Sequence, residues 1–416
     1  MRNLGRIGLA GALLLALGVF YRGSGVEAAG GPRDVVVDAY RVLPPIESGN
    51  LLLFPVVAAG SQAPGATPFL TLDEGIKSGE VEVTEAGRVR GLVRPRGTTG
   101  VQPYQDDRYR NDAIPEPQGG FRGDEVNTLV LVNHSDKPLL LLAGEIVTGG
   151  KQDRVIAKDR IVPAGGDPID LGVFCIEPGR WTASSETFGA SGKSVAHSFM
   201  VQPTVRQKAM VAKDQQQVWD SVRGSIAQLD VAAAPSASMP GTGGYGYDAG
   251  TTSYAQTMQN SAVSEKVDEA AAPVMQAREQ VLNKLRDEHA VGVVVAVRGE
   301  IVWADLFAGS DLLARYWTKL VRSYAAESLT SGETRQALTV ADAQRFLNAP
   351  SGGTETSEGD VGVYRYRELR SDSTETFVLE SLLPGTGYDV HISKLKLRDV
   401  EAHIQRPRLP RPPIYR

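Results

Sequence analysis

Cysteine is almost missing from this sequence: Cys175 is the only one in 416 residues. No intramolecular disulfide can form, and a cysteine-built zinc site has no ligands to draw on. Histidine is scarce as well. Five residues, His134, His197, His289, His391 and His403, stand at positions that match no metal-ligand spacing. No EF-hand loop occurs, so a carboxylate-only calcium site is the one metal reading left open. A surplus of positive charge is also absent: 44 Lys and Arg against 49 Asp and Glu leave a net −5. That excludes the basic footprint of a nucleic-acid-binding protein. Phosphate-binding loops are missing too. Gly189-Ala190-Ser191-Gly192-Lys193-Ser194 comes near one, but Thr187 stands where the first glycine is required. No cofactor is implied.

What is present begins at the N-terminus. Residues 1–28 read as a cleavable signal peptide: Arg2 and Arg6 precede an uncharged apolar run, Ile7 to Phe20. Val26 and Ala28 then supply the small residues of a cleavage site. The run is shorter than the about 20 residues of a membrane span. The mature chain is therefore expected to be exported, periplasmic or extracellular, with no transmembrane segment. Removing Arg2, Arg6, Arg22 and Glu27 takes away a net +2 and leaves −7. Residues 29–37 are expected to be flexible. The basic, proline-rich tail 396–416 (Arg406-Pro407-Arg408 onward) reads as a solvated terminus, or else as an anchor on an acidic envelope surface.

Between these ends the pattern predicts an α+β fold: a strand-rich N-terminal half, then helices plus a further small sheet. Asp34 to Val42 and Leu51 to Val57 are strand-like runs. Thr71-Leu72-Asp73-Glu74 is a capping box opening a helix that ends near Gly79. Residues 95–123 read as a long loop. Val126 to Asn133 and Pro138 to Ala143 are expected to pair as a hairpin, with Ile161-Val162 and Ile169 to Ile176 extending the sheet. Trp219, Val222, Ile226 and Leu229 fall on one helix face. Residues 231–256 form a low-complexity insertion, and a helix follows from Ser264 to Glu288. Val291 to Val297 and Ile301 to Phe307 form a hairpin around Arg298-Gly299. A helix from Asp311 to Ser328 shows Leu313, Tyr316, Leu320 and Tyr324 on one face. Thr339 caps a short helix, residues 350–361 read as a polar linker, and strands that include Thr376 to Leu382 and Tyr388 to Ile392 close the chain.

Three segments together carry a resemblance. They are Gly144-Glu145-Ile146-Val147-Thr148-Gly149-Gly150-Lys151-Gln152-Asp153-Arg154, Val162-Pro163-Ala164-Gly165, and Phe174-Cys175-Ile176-Glu177-Pro178-Gly179-Arg180-Trp181. With Gln217-Val218-Trp219, Val294 to Phe307 and Tyr388 to Ile392, they make residues 38–395 resemble the ARG (ADP-ribosylglycohydrolase) and rhodanese-phosphatase-superfamily-associated protein domain. That family brings no settled activity. Its name records association with enzymes of ADP-ribose and phosphate chemistry. The resemblance thus implies a partner or sensor in ADP-ribose- or nucleotide-linked processes, whereas export would set the chain apart from cytoplasmic nucleotides.

The candidate site residues are Glu145, Lys151, Gln152, Asp153, Arg154, Glu177, Arg180 and Trp181. Gly149-Gly150 permits a turn at positive φ. Lys151 and Arg154 could clamp an anion, Arg154 bidentately. Trp181 offers a flat face to a ring or to Arg180, and Glu145 with Glu177 could serve as an acid/base pair if the sheet joins them. The competing reading is a structural salt-bridge network with Trp181 in the core. Cys175, inside an apolar strand, reads as a buried inert thiol. Three functions follow. One is a non-catalytic sensor or partner-binding module, for a small anionic or ADP-ribose-like ligand or a protein partner. The others are a hydrolase of phosphate- or ADP-ribose-containing substrates and a structural envelope interaction protein.

Overall fold

The computed structural model describes residues 40–58, 68–85, 128–179, 184–192, 198–234, 251–288, 290–329 and 337–397. The segment expected to be a signal peptide (residues 1–28), residues 29–37, the 95–123 loop, Arg180, Trp181 and nearly all of the basic tail lie outside the described residues. In chain order the strands begin with β1 (Tyr40–Val42), β2 (Ile46–Ser48), β3 (Leu51–Ala58) and β4 (Leu70–Thr71). Helix α1 (Leu72–Ser78) precedes β5 (Val81–Glu85), β6 (Thr128–Asn133), β7 (Leu139–Leu141), β8 (Ile146–Gly149) and β9 (Arg154–Ile156). Next come β10 (Arg160–Val162), β11 (Ile169–Cys175) and β12 (Phe188–Ala190), then helices α2 (Pro203–Gln207), α3 (Gln215–Ala233), α4 (Tyr254–Gln259) and α5 (Ser261–Glu288). The chain closes with β13 (Ala290–Val297), β14 (Glu300–Phe307), α6 (Ser310–Ser328), α7 (Val340–Asn348), β15 (Thr354–Asp360), β16 (Tyr364–Arg370), β17 (Thr374–Ser381) and β18 (Asp389–Lys396).

The class is α+β, and its strands form three sheets. The sheet of the C-terminal half is the largest, with nine strands in the order β1-β3-β13-β14-β18-β17-β16-β15 and β2 beside β3. It grows beyond a small sheet because β1 to β3 join its flank. Pro55 sits inside β3 without breaking it. Strands β1 and β2 pair with either end of β3, and the amide that proline lacks falls in the gap between them, where the Leu43 N–H instead reaches the Pro55 carbonyl at 2.8 Å. A second sheet runs β12-β8-β9-β11-β6-β5. The Thr84–Thr187 bridge ties its two edges together, so the sheet curls back on itself around Val83, Leu131, Val147, Ile156, Leu171, Val173 and Phe188. The third sheet, β10-β7-β4, contributes Leu70, Leu139, Leu141 and Val162 to the same core.

The expected hairpin of β6 and β7 does not form. Strand β6 pairs with β5 and β11, and β7 with β10 and β4. The turn between them redirects the chain: Asn133 Nδ2 donates to the carbonyls of Lys137 (2.8 Å) and Pro163 (2.9 Å), and the Ser135 hydroxyl donates to Asn133 Oδ1. The central residues 129–132 of β6 and all of β7 are apolar on both faces, so no polar face dictates their partner and the sheets on either side decide it.

Other local expectations meet their chemistry. Thr71 and Glu74 form a reciprocal capping box on α1, and Gly79 ends the helix in the left-handed region at φ 76°. Arg298 and Gly299 turn at φ 53° and 71°, as a two-residue hairpin with right-twisted strands requires. The low-complexity insertion is narrower than expected. Helix α3 runs through residues 231–233, and Tyr254 of α4 is fully buried, its hydroxyl accepting from the Gln202 N–H. Residues 235–250 lie outside the described residues. On α3 the buried stripe is Val218, Val222, Ile226 and Leu229, and Trp219 stands at its margin. Most of the 350–361 linker is strand β15, an exposed, acidic edge paired along its length with β16. Such polar edges fit a sheet end that must not recruit further strands.

Candidate functional site

The Gly149–Arg154 turn leaves the end of β8 with both glycines at positive φ, 127° and 52°. Glycine is required for space as well as for φ. A methyl group at Gly150 would run into the Phe188 ring and the Glu85 carboxylate. The turn presents three successive backbone N–H groups, a run of donors of the kind that can attract anions. Their acceptors come from the protein itself. Gly149 donates to Asp153 Oδ1 (2.9 Å), Gly150 to Ser185 Oγ (3.0 Å) and Lys151 to Glu85 Oε1 (3.1 Å).

The residues around the turn are equally engaged. The second oxygen of Asp153 accepts from the Ser253 hydroxyl at 2.9 Å. Glu177 Oε2 accepts from the Asp153 N–H at 3.1 Å. Arg154, 1% exposed, donates to the Gln152 carbonyl at 2.6 Å, with its other amino group 3.9 Å from Glu85. Gln152, Asp153, Arg154 and Glu177 thus come together with Glu85, and all five are buried. Lys151 is half-buried at the rim. Cys175 lies opposite Arg154 in the β11–β9 register, and burial pushes its thiol up to about 11. An un-ionised, enclosed thiol of this kind is a poor nucleophile.

Glu145 joins a different network. Its carboxylate meets Lys319 Nζ at 2.6 Å and accepts from the Leu142 N–H at 2.8 Å; Lys319 also holds Asp73 at 2.8 Å. Burial opposes the charge on Lys319, but its two carboxylate neighbours win and raise its proton affinity. Burial together with Asp73 raises Glu145 in turn, because two carboxylates share one cation.

A third network, built from residues outside the sequence candidates, lies between α2, α6 and the large sheet. Arg206 pairs with Asp305 at 2.9 Å and stacks 4.6 Å from the Trp303 ring centroid. Asp305 also accepts from Trp303 Nε1 (3.0 Å), the Ser393 hydroxyl (2.8 Å) and the Tyr324 hydroxyl. His391 bridges the two carboxylates: Nδ1 meets Asp159 Oδ2 at 2.6 Å, while Nε2 stands 3.2 Å from Asp305 Oδ1, off the hydrogen-bonding direction. Asp159 in turn accepts from the Ala143 N–H at 2.7 Å. Burial disfavours the imidazolium, yet Asp159 and Asp305 outweigh it and raise His391 to about 9. Burial would likewise raise Asp305, but Arg206, His391 and Tyr324 hold it well below the usual carboxylate range. The sequence clue to this network is a lone charge in an apolar strand, as in Trp303-Ala304-Asp305-Leu306 and Val390-His391-Ile392.

Chemically, these arrangements hold ion pairs out of water and cross-link secondary structure. Among the described residues, no group of three or more His, Cys, Asp or Glu is disposed to hold a metal, and no helix is long and apolar enough to cross a membrane. No curated protein and no solved structure matches the chain significantly. The motifs around Gly144–Arg154 and Phe174–Glu177, and the strands that carry the buried networks, all fall within one family match spanning residues 39–395. The chain belongs to the ARG and Rhodanese-Phosphatase-superfamily-associated Protein domain family.

Proposed function

We propose that this protein is a non-catalytic, exported partner-binding module whose charged motifs are structural. One observation carries the reading: the three backbone N–H groups of Gly149–Lys151 already donate to the carboxylates of Asp153 and Glu85 and the hydroxyl of Ser185. The groups a hydrolase would need are committed in the same way. Glu145 is bound to Lys319, both oxygens of Asp153 are occupied, and Glu177 accepts from the chain. A general acid or base must reach a substrate proton, and these carboxyls are buried against their partners. The family's association with ADP-ribose and phosphate enzymes then fits a protein that works beside such enzymes. An N-terminus that reads as a signal peptide supports a site of action outside the cytoplasm.

The test uses the protein from residue 29 onward with ADP-ribose, nucleotides and phosphoesters, read by turnover and by thermal shift. No turnover and no saturable shift are expected, and Arg154→Ala should lower the melting temperature without any ligand. Turnover lost in a folded Glu177→Gln variant would overturn the proposal. So would a ligand shift abolished by Arg154→Ala in protein that remains folded.

A further inference from the structure

The two ends of the nine-stranded sheet are finished differently. At one end α7 closes β1: the Val42 N–H donates to Gln344 Oε1 at 2.9 Å, and Gln344 Nε2 donates to the Tyr40 carbonyl at 3.1 Å. Strand β15, at the other end, has no such cover. Val363 and Ser371, which flank β16, bond towards β17 at Leu382 and Thr374. The alternation along β16 therefore turns Arg370, Glu368 and Tyr366 to Thr354, Thr356 and Glu358 of β15. Glu355 and Ser357, which lie between these, aim their N–H and C=O groups away from the sheet, with no partner among the described residues. Glu355 is exposed as a residue while its side chain is only 29% exposed, so its main chain meets solvent.

The acidic sequence of β15 turns arbitrary strands away, yet one strand fits it: β15 of a second copy. Its acids come with their own cations, Glu358 with Lys158 at 2.8 Å and Glu355 with Arg367 at 3.9 Å, so two such edges can approach without uncompensated repulsion. An antiparallel pair about a two-fold axis at Thr356 sets Thr356 opposite Thr356, Glu355 opposite Ser357 and Thr354 opposite Glu358. No acid then faces an acid, and a Thr–Thr pair is favourable. The outward N–H and C=O groups of Glu355 and Ser357 all meet their counterparts in the other copy. Moving the axis to Glu355 would oppose two glutamates, and moving it to Ser357 would enlist Gly359, which is buried.

We propose that β15 is a self-recognition edge through which two copies of this chain pair about Thr356 and join their large sheets. This pairing does not depend on the binding role proposed above. The contact is one strand wide, below the about 1,200 Å² at which stable interfaces begin, so the dimer is weak and reversible.

The experiment is sedimentation velocity of the protein from residue 29 onward, from micromolar to millimolar concentration, with a cysteine scan of the edge. The wild type should pass from monomer to dimer across that range. Ser357→Pro removes an outward N–H that the fold does not use, and it should stay folded and monomeric. Under copper–phenanthroline oxidation Thr356→Cys should cross-link at least about tenfold faster than Glu355→Cys or Ser357→Cys, since only residue 356 lies opposite itself, with Cα atoms about 4.5 Å apart. Cys175 is fully buried and supplies no background. A wild type that remains monomeric at millimolar concentration would overturn the proposal, and that measurement needs no variant to fold. So would a dimer that persists in folded Ser357→Pro, or cross-linking no faster at residue 356 than at its neighbours.

Discussion

His391 keeps its proton to about pH 9, against an ordinary imidazole value of 6.5, because Asp159 and Asp305 flank it in a site closed to water. The folded state therefore binds this proton more tightly than the unfolded chain does. The contribution is complete below pH 6.5, declines as pH rises through 9, and is gone above it. A displacement from 6.5 to about 9 corresponds to about 3 kcal/mol. The side chain is fully buried, so solvent screening subtracts little. Lys394 acts in the opposite sense: lowered to about 8 from 10.5, it makes stability recover as pH rises between those values. The wild-type profile alone would blur the two effects. The clean measurement is urea unfolding of wild type and His391→Gln across pH 6 to 10. The variant should be less stable by about 3 kcal/mol at pH 6, where it leaves two buried carboxylates with one cation, and the gap should close by about that amount by pH 9.5. A gap that stays constant over this range would refute the argument that the two carboxylates hold a charged His391.

Two further predictions follow from the same packing. Lys319→Met should cost about 3–5 kcal/mol in chemical denaturation, because it leaves Glu145 and Asp73 without their cation; adding Glu145→Gln should recover part of that loss, and strict additivity would contradict a coupled pair. Gly150→Ala should lower stability by about 1–3 kcal/mol, since it adds a left-handed backbone penalty to a clash with Phe188 and Glu85, and a neutral result by thermal melting would show that the turn can relax.

Much of the local structure was legible because it rests on short-range chemistry. The Thr71–Glu74 capping box, the Arg298-Gly299 hairpin and the apolar face of α6 are each written within a few neighbouring residues. Strand partners were not legible where both faces are apolar, which is why β6 and β7 separate into different sheets. Strand β15 was hidden for the opposite reason: an exposed edge with the sequence Thr-Glu-Thr-Ser-Glu-Gly-Asp has the composition of a linker. In the candidate site, the need for glycine at Gly149 and Gly150 was readable, as was the grouping of Asp153 with Arg154. The identity of the anion was not, because Glu85 reaches Lys151 from a distant strand. The Asp159–His391–Asp305–Arg206 network draws on four segments far apart in sequence, and no spacing rule connects them.

The position of β3 has a consequence for how the molecule is made. It lies between the earliest strands and β13, so Leu53 waits for Val295 before its pairing is complete. The curled sheet has no such dependence, since β5 to β12 are all in hand once residue 190 has been synthesised. A chain emerging N-terminus first would assemble that unit early and carry Leu51–Ala58 as an unsatisfied apolar ribbon until the last third of synthesis. Of the apolar strands in the large sheet, β3 is thus the one whose second partner comes latest in the chain relative to its own position.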